Sequence, residues 1–375
     1  LLIASILSIM NRAGVPTPSP SIVGKADLDL ALIGNCSYGA LIDKLGTVKW
    51  CCLPRFDGDP VFCSLLRRTN DIGFYEISLE GFSHSKQHYV RNTGVLKTEL
   101  YNKNGDGIEI TDFAPRFMMF GRAYRPIMLI RIVRPLAGHP RIRVRIRPTF
   151  GYGWGSPEKT RGTNHIRYLL PNFAIRVTTN APISYIVDEV LFEVTETTTF
   201  ALMPDESLKE SLHEIATSYL DKTVDYWHEY SRVLSIPFEW QEQVIRSCIA
   251  LKMCSFEETG AMMASITSSI PVSPKAQGYD LRFCWLRDSS NIIHTLNKLG
   301  STNNMEDFLK YISNIVGSSE SKDGHLQPVY GIALETSLYE KEMHRLAGYR
   351  GLGPVRVGNK DYKLLQNDVY GHVIL

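Results

Sequence analysis

The chain has 375 residues, 44% of them apolar and 21% charged, and its 41 basic and 39 acidic side chains leave a net charge of +2. This is an ordinary globular balance, long enough for two domains with sizeable cores. It excludes a global field that would draw the chain to nucleic acid or to a membrane surface.

Leu1 to Met10 is apolar and reads either as the remnant of a signal-peptide core or as a local helix. It is too short to span a bilayer, so no stable membrane insertion is expected. No basic segment precedes it and no clear cleavage site follows, which leaves localisation open, with the cytoplasm slightly favoured over secretion. The first residue is leucine, so the sequence is expected to begin inside a longer product. Pro16, Pro18 and Pro20 make the rest of residues 1–24 a linker.

Residues 25–205 carry short alternating runs separated by turns. Strands are predicted at 30–34, 40–43, 48–53, 73–79, 95–101, 108–113, 127–133, 142–147, 173–178, 187–194 and 197–202. Lys103 to Gly107 is a hairpin signal. Many antiparallel strands with polar outer faces predict a β-sandwich. Arg143, Arg145 and Arg147 line one strand face. Without interleaved aromatic residues and with little net charge, they predict a solvated face or pairing with acidic neighbours, not nucleic-acid binding.

From Asp205 the period lengthens. A helix over 206–234 presents Leu208, Leu212, Ile215, Tyr219, Leu220, Val224, Trp227 and Tyr230 on one side, and residues 206–236 read as a linking helix. Further helices are predicted at 242–256, 289–299, 304–316 and 335–346. The fold class is therefore α+β in two domains, with residues 237–375 helical. The seven cysteines are scattered and read as buried thiols, and the histidines form no metal-binding spacing, so no metal or cofactor is predicted.

The stretch most laden with chemistry is Gly278–Asp288 (GYDLRFCWLRD). Arg287 and Asp288 fall at a helix start, where Asp288 could also cap. A guanidinium beside a carboxylate suits a vicinal diol, one donating and the other accepting, and Trp285 could wall the apolar face of a sugar ring. The run resembles the signature of the glucoamylase and trehalase-like glycoside hydrolases of family 15. Further blocks agree in order: 33–43 (IGNCSYGALID), 50–57 (WCCLPRFD), 264–271 (ASITSSIP), 324–331 (GHLQPVYG), 344–351 (HRLAGYRG), 354–359 (PVRVGN) and 368–371 (DVYG).

That resemblance implies an N-terminal β-sandwich followed by an incomplete (α/α)6 domain of the six-hairpin glycosidase kind. It implies an inverting, exo-acting α-glucoside hydrolase acting on α-glucan, maltose-type oligosaccharides or trehalose, with a homo-oligomer left open. Trp285, Arg287 and Asp288 would hold the non-reducing-end glucose, with Gln327, Tyr330 and Arg350 lining the same pocket. Segments 274–278 (PKAQG) and 360–363 (KDYK) depart from the family pattern. None of Asp280, Asp288, Glu257, Glu258, Glu335, Glu340, Glu342 or Asp368 stands in the context of the catalytic acid or base. Both are expected beyond Leu375, so no catalytic residue is assigned and the chain alone is expected to be inactive. The alternative is a non-catalytic carbohydrate-binding or scaffold protein derived from such a hydrolase.

Overall fold

The computed structural model describes residues 28–69, 71–318 and 325–374. The N-terminal apolar run and proline linker therefore lie outside the described residues. Two antiparallel sheets form the first layer pair. One is 7-stranded and runs Ala31–Gly34, Gly39–Ile42, Val48–Cys52, Phe74–Leu79, Arg141–Arg147 and Phe192–Glu193, with Pro60–Phe62 branching from Val48–Cys52. The other is 8-stranded, in the order Glu158–Arg161, His165–Leu169, Ala174–Thr179, Thr198–Pro204, Leu129–Ala137, Gly107–Phe113, Leu96–Asn102 and Phe82–Tyr89.

The inward residues of both sheets make one continuous apolar core, which includes Ile33, Ile77, Leu100, Ile110, Val144 and Val177. The alternation read at 142–147 is the cause on one sheet: the isoleucines and Val144 point in, the arginines out. Those arginines pair with acidic neighbours. Arg145 bonds Glu76, Arg147 bonds Glu189 and Arg141 meets Glu80.

One core feature breaks the apolar pattern. Arg131, in the middle of Leu129–Ala137, is fully buried, donates to Asp112 Oδ1 at 2.7 Å and lies over the Tyr75 ring at 4.5 Å. Pairing and ring contact offset the desolvation that a lone buried charge would suffer.

Six helices are found among the described residues: α1 (Ile183–Val187), α2 (Leu212–Arg232), α3 (Gln241–Met253), α4 (Leu286–Lys298), α5 (Thr302–Ser318) and α6 (Asp368–Ile374). Two sequence expectations are corrected. The segment 187–194 is mostly not a strand, because α1 ends there and only Phe192–Glu193 pairs, with Arg141 and Ile142. The segment 335–346 is not a helix. Lys341–Glu342 instead pairs with Arg356–Val357, and Arg356 draws in Glu340 and Glu342 by ion pairs. Cross-strand pairing and charge override local helical spacing there. The long helix also starts later than the pattern suggested, where the Ser211 hydroxyl caps the Glu214 amide.

The helical part sits directly on the sandwich. Trp227 of α2 is buried against the 90–95 turn, where a Cβ on Gly94 would fall 2.9 Å from the indole, so only glycine admits this approach. Beside it, Arg116 of the sandwich donates to Glu257 Oε1 at 2.5 Å and to Asn35 O at 2.8 Å, and Lys252 of α3 pairs with the same carboxylate. Burial alone would raise the Glu257 pKa, but Arg116 and Lys252 outweigh it and hold the carboxyl down at about 2, against an ordinary 4.5.

A depressed carboxyl stabilises the fold fully above its unfolded pKa and loses that contribution as pH falls through the folded one. Glu257→Gln should therefore cost about 3 kcal/mol near neutrality. Its unfolding free energy should also fall less steeply than the wild type's between pH 4.5 and about 2. Urea unfolding across that pH range measures this, and parallel curves would show that Glu257 is not the titrating group.

Candidate sugar-binding site

The site is built from the segment that joins the two parts. Asp280 and Arg282 are both fully buried and joined by two bonds, Nε to Oδ1 at 2.9 Å and Nη2 to Oδ2 at 2.7 Å. Arg282 also donates to Gly58 O at 2.8 Å, to the Tyr152 hydroxyl at 3.0 Å and to Cys52 Sγ at 3.4 Å, all in the sandwich. On the other side, Gly358 N reaches Asp280 Oδ2 at 3.2 Å and Asn359 Nδ2 reaches Asp280 O at 2.9 Å. The block 354–359 thus braces Asp280, and Arg356 adds a bond to Gly278 O at 3.2 Å.

Past this anchor the chain turns into a two-residue strand, Cys284–Trp285, which pairs with Val329–Tyr330. Leu286 N bonds Pro328 O at 3.0 Å and α4 begins. The helix opens two residues earlier than Asp288, so Asp288 lies inside the first turn and does not cap it.

The predicted residues fall into three positions. Arg287 and Asp288 stand at the start of α4, 43% and 44% exposed, with Nε and Oδ1 3.5 Å apart. Asp368 of α6 faces the same guanidinium at 3.8 Å, a partner that the sequence reading did not connect. Trp285, just before them in the chain, is buried among Ala264, Phe283, Val329, Leu338 and Tyr362. Tyr330 pairs with Cys284 on the other face of this short ladder, where it is buried in a separate cluster, and its hydroxyl accepts from Gln327 N at 2.9 Å. Trp285 Nε1 and Gln327 Oε1 are each buried without a protein partner, an arrangement that calls for a ligand or water.

Arg350 lies apart from these, exposed on the Tyr349–Gly351 turn with φ at +55° and its guanidinium 5.2 Å from the Tyr349 ring. This turn packs on the sandwich through Leu65, Leu66 and Trp50. His344 is exposed nearby.

The other carboxylates considered in sequence are engaged elsewhere. Asp280 and Glu257 belong to buried ionic clusters, Glu340 and Glu342 pair with Arg356, and Glu335 pairs with Arg55. Glu258 is exposed. All seven cysteines are free and buried, with burial raising the Cys52 thiol to about 12. Among the described residues no cluster of three or more His, Cys, Asp or Glu could hold a metal ion, and no helix is long and apolar enough to cross a membrane.

A β-sandwich that carries a helical unit, with a half-exposed arginine–aspartate pair at the start of α4, defines a two-part α+β architecture. Residues 240–375 match the model of glycosyl hydrolases family 15. That helical segment, behind an N-terminal β-sandwich, is thus similar to the trehalase/glucoamylase-like proteins of that family. The chain is 29% identical over 350 residues to a trehalase of Thermoplasma volcanium, covering 91% of this chain and 55% of that protein. It is 26% identical to a trehalase of Mycobacterium tuberculosis, covering 98% and 57%, and 27% identical to one of Mycolicibacterium smegmatis, covering 92% and 56%. The chain thus spans little more than half the length of these relatives.

The burial pattern separates rim from scaffold. Arg287→Ala should cost less than about 1 kcal/mol of stability, as exposed ion pairs do. Trp285→Ala should cost roughly 3–5 kcal/mol, as for a large buried aromatic. Urea unfolding of the two variants checks this, and a large loss for Arg287→Ala would make the pair a structural element.

Proposed function

We propose that the chain supplies the sandwich and the glucose-gripping wall of an inverting, exo-acting α-glucoside hydrolase of the trehalase or glucoamylase type. The observation that carries this is the half-exposed Arg287–Asp288 pair at the start of α4, directly after the buried Trp285, within the segment that matches family 15. The guanidinium donates to one hydroxyl while the carboxylate accepts from its neighbour, and the indole covers the apolar ring face. Trp285 Nε1 and Gln327 Oε1 are buried polar atoms left for a hydroxyl to meet.

Inversion requires one carboxylic acid to protonate the leaving oxygen and a second carboxylate to activate water from the opposite face. Asp280, Glu257, Glu335, Glu340 and Glu342 are held by cations, so the reading assigns neither role to them. The similar proteins are named trehalases, which favours trehalose over maltose and longer α-glucan. That same engagement of the carboxylates supports a second reading, in which the 375-residue chain binds sugar without cleaving it.

Both readings meet in one experiment. Trehalose and maltose are incubated with the 375-residue chain and, in parallel, with a version extended to the relatives' full length, and the first-formed anomer is followed by NMR. The expected result is β-glucose released by the extended protein and sugar binding without turnover by the chain itself. Initial α-glucose would contradict inversion, and turnover by the chain within about tenfold of the extended protein would require an acid and base within it.

A further inference from the structure

A second donor–acceptor pair lies at the junction of the two parts, outside the residues assigned so far. Arg55 leaves the sandwich in the loop after Val48–Cys52 and meets a residue 280 positions later: Nη2 donates to Glu335 Oε1 at 2.9 Å. From behind, Asp57 takes Nε at 3.0 Å and Nη2 at 2.9 Å. The Asp57 side chain is 9% exposed, while those of Arg55 and Glu335 are 37% and 40% exposed. A buried carboxylate therefore fixes the guanidinium, and its outer edge opens to solvent beside the Glu335 carboxylate. Among the described residues, Arg55 Nη1 donates to nothing.

Glu335 is held with unusual firmness for an exposed side chain. Ala333 N donates to its Oε2 at 3.0 Å, and Gly331 N donates to its backbone oxygen at 2.8 Å. A Cβ on Gly331 would fall 2.7 Å from Glu335 Cβ and against its carboxylate, so a side chain here would displace Glu335. Leu334 is held at φ +71°, a conformation that costs a leucine energy and that the surrounding structure must enforce.

An ion pair this exposed contributes little to stability. Stability alone is a poor reason for a strained leucine, a close-packed glycine and a buried carboxylate, all of which fix one exposed guanidinium–carboxylate pair. The loop also follows directly on Tyr330. Tyr311, whose hydroxyl donates to Gly331 O at 2.8 Å, contacts Cys284, which pairs with Tyr330 across the strands. Tyr311 and Cys284 thus link the Gly331–Glu335 loop to the Cys284–Trp285 strand that leads into α4 and its Arg287 and Asp288.

We propose that Arg55 and Glu335 form a second hydroxyl-binding pair, built across the sandwich–helix junction, that grips the sugar unit next to the one held by Arg287 and Asp288. The chemistry is that of the first pair, a fixed guanidinium edge beside a carboxylate, matched to a vicinal diol. It takes a disaccharide or longer glucoside and gives the β-sandwich a direct part in recognition. The inference rests on the sugar-binding reading of Arg287 and Asp288.

The test is titration of the 375-residue chain with glucose, maltose and trehalose, followed by tryptophan fluorescence and calorimetry, for the wild type and the variants Arg55→Gln, Glu335→Gln and Arg287→Ala. Arg55→Gln should weaken at least one disaccharide about tenfold and change glucose by less than about twofold, the loss typical of one charge-assisted bond. Glu335→Gln, which preserves size, should do the same and serves if Arg55→Gln fails to fold. Arg287→Ala should weaken all three sugars. Unchanged disaccharide affinity with only a lowered melting temperature, or equal losses for glucose and disaccharides, would reduce Arg55–Glu335 to a clamp and overturn the proposal. Sugar binding indifferent to Arg287→Ala, or a wild-type chain that binds none of the three, would overturn the reading on which it rests.

Discussion

The Arg282 guanidinium is the interaction on which the rest of the structure depends. It is fully buried, and its N–H groups meet Asp280, Gly58 O, Cys52 Sγ and the Tyr152 hydroxyl. A buried ion pair is not stabilising by itself, because desolvation offsets the Coulomb attraction. Its value here is geometric. A planar fork of five donors can satisfy two polypeptide segments at once only in one relative placement. Asp280 holds the first segment and the sandwich loops supply the acceptors of the second. Removal of the guanidinium would leave Asp280 as a buried, uncompensated charge.

The consequences run outward from this point. Asp280 fixes the 356–359 loop through Gly358 N and Asn359 Nδ2, and Arg356 closes that loop back on Gly278. Trp50 adds a bond from the sandwich to Ile266 O at 2.8 Å. With both ends of the 278–285 segment held, the Cys284–Trp285 strand lies against Val329–Tyr330 and α4 starts in a fixed direction. Arg287 and Asp288 need few bonds of their own because the segment before them is immobilised. The Glu257 cluster performs a parallel task for α3, binding Arg116 of the sandwich and Lys252 of the helix to one carboxylate. The sandwich thus acts as the template on which the Cys284–Trp285 strand and the start of α4 are set.

Much of this was legible in the residues, for identifiable reasons. Alternation at 142–147 and helical spacing at 289–299 are local signals, and both elements formed. The antiparallel sandwich and the helical half followed from such runs. Local spacing failed at 335–346, where Arg356, well beyond the segment, pulls Glu340 and Glu342 into an antiparallel pairing. It was silent on Arg131, because one charge in an apolar run does not reveal Asp112 across the sheet. The motif around Gly278–Asp288 drew attention to Arg287 and Asp288, yet the anchoring pair within it is Asp280–Arg282. Sequence could not separate the two arginine–aspartate pairs, since burial distinguishes them. Partners separated by 280 positions, such as Arg55 and Glu335, leave no pairwise trace in a single chain.

The direct test of this account is native-state amide hydrogen exchange on Arg282→Met, which keeps the volume and removes the charge, alongside the double variant Arg282→Met/Asp280→Asn. If Arg282 sets this strand and helix start, the single variant should lose roughly 3–5 kcal/mol of protection in Cys284–Trp285, Val329–Tyr330 and the first turn of α4, and the double variant should recover part of it. The sandwich strand Leu129–Ala137, which makes none of the Arg282 contacts, should keep its protection in both. Unchanged protection at 284–288 in the single variant, with loss confined to the loops around Gly58 and Tyr152, would show that the strand and helix start stand without the guanidinium and would contradict the account.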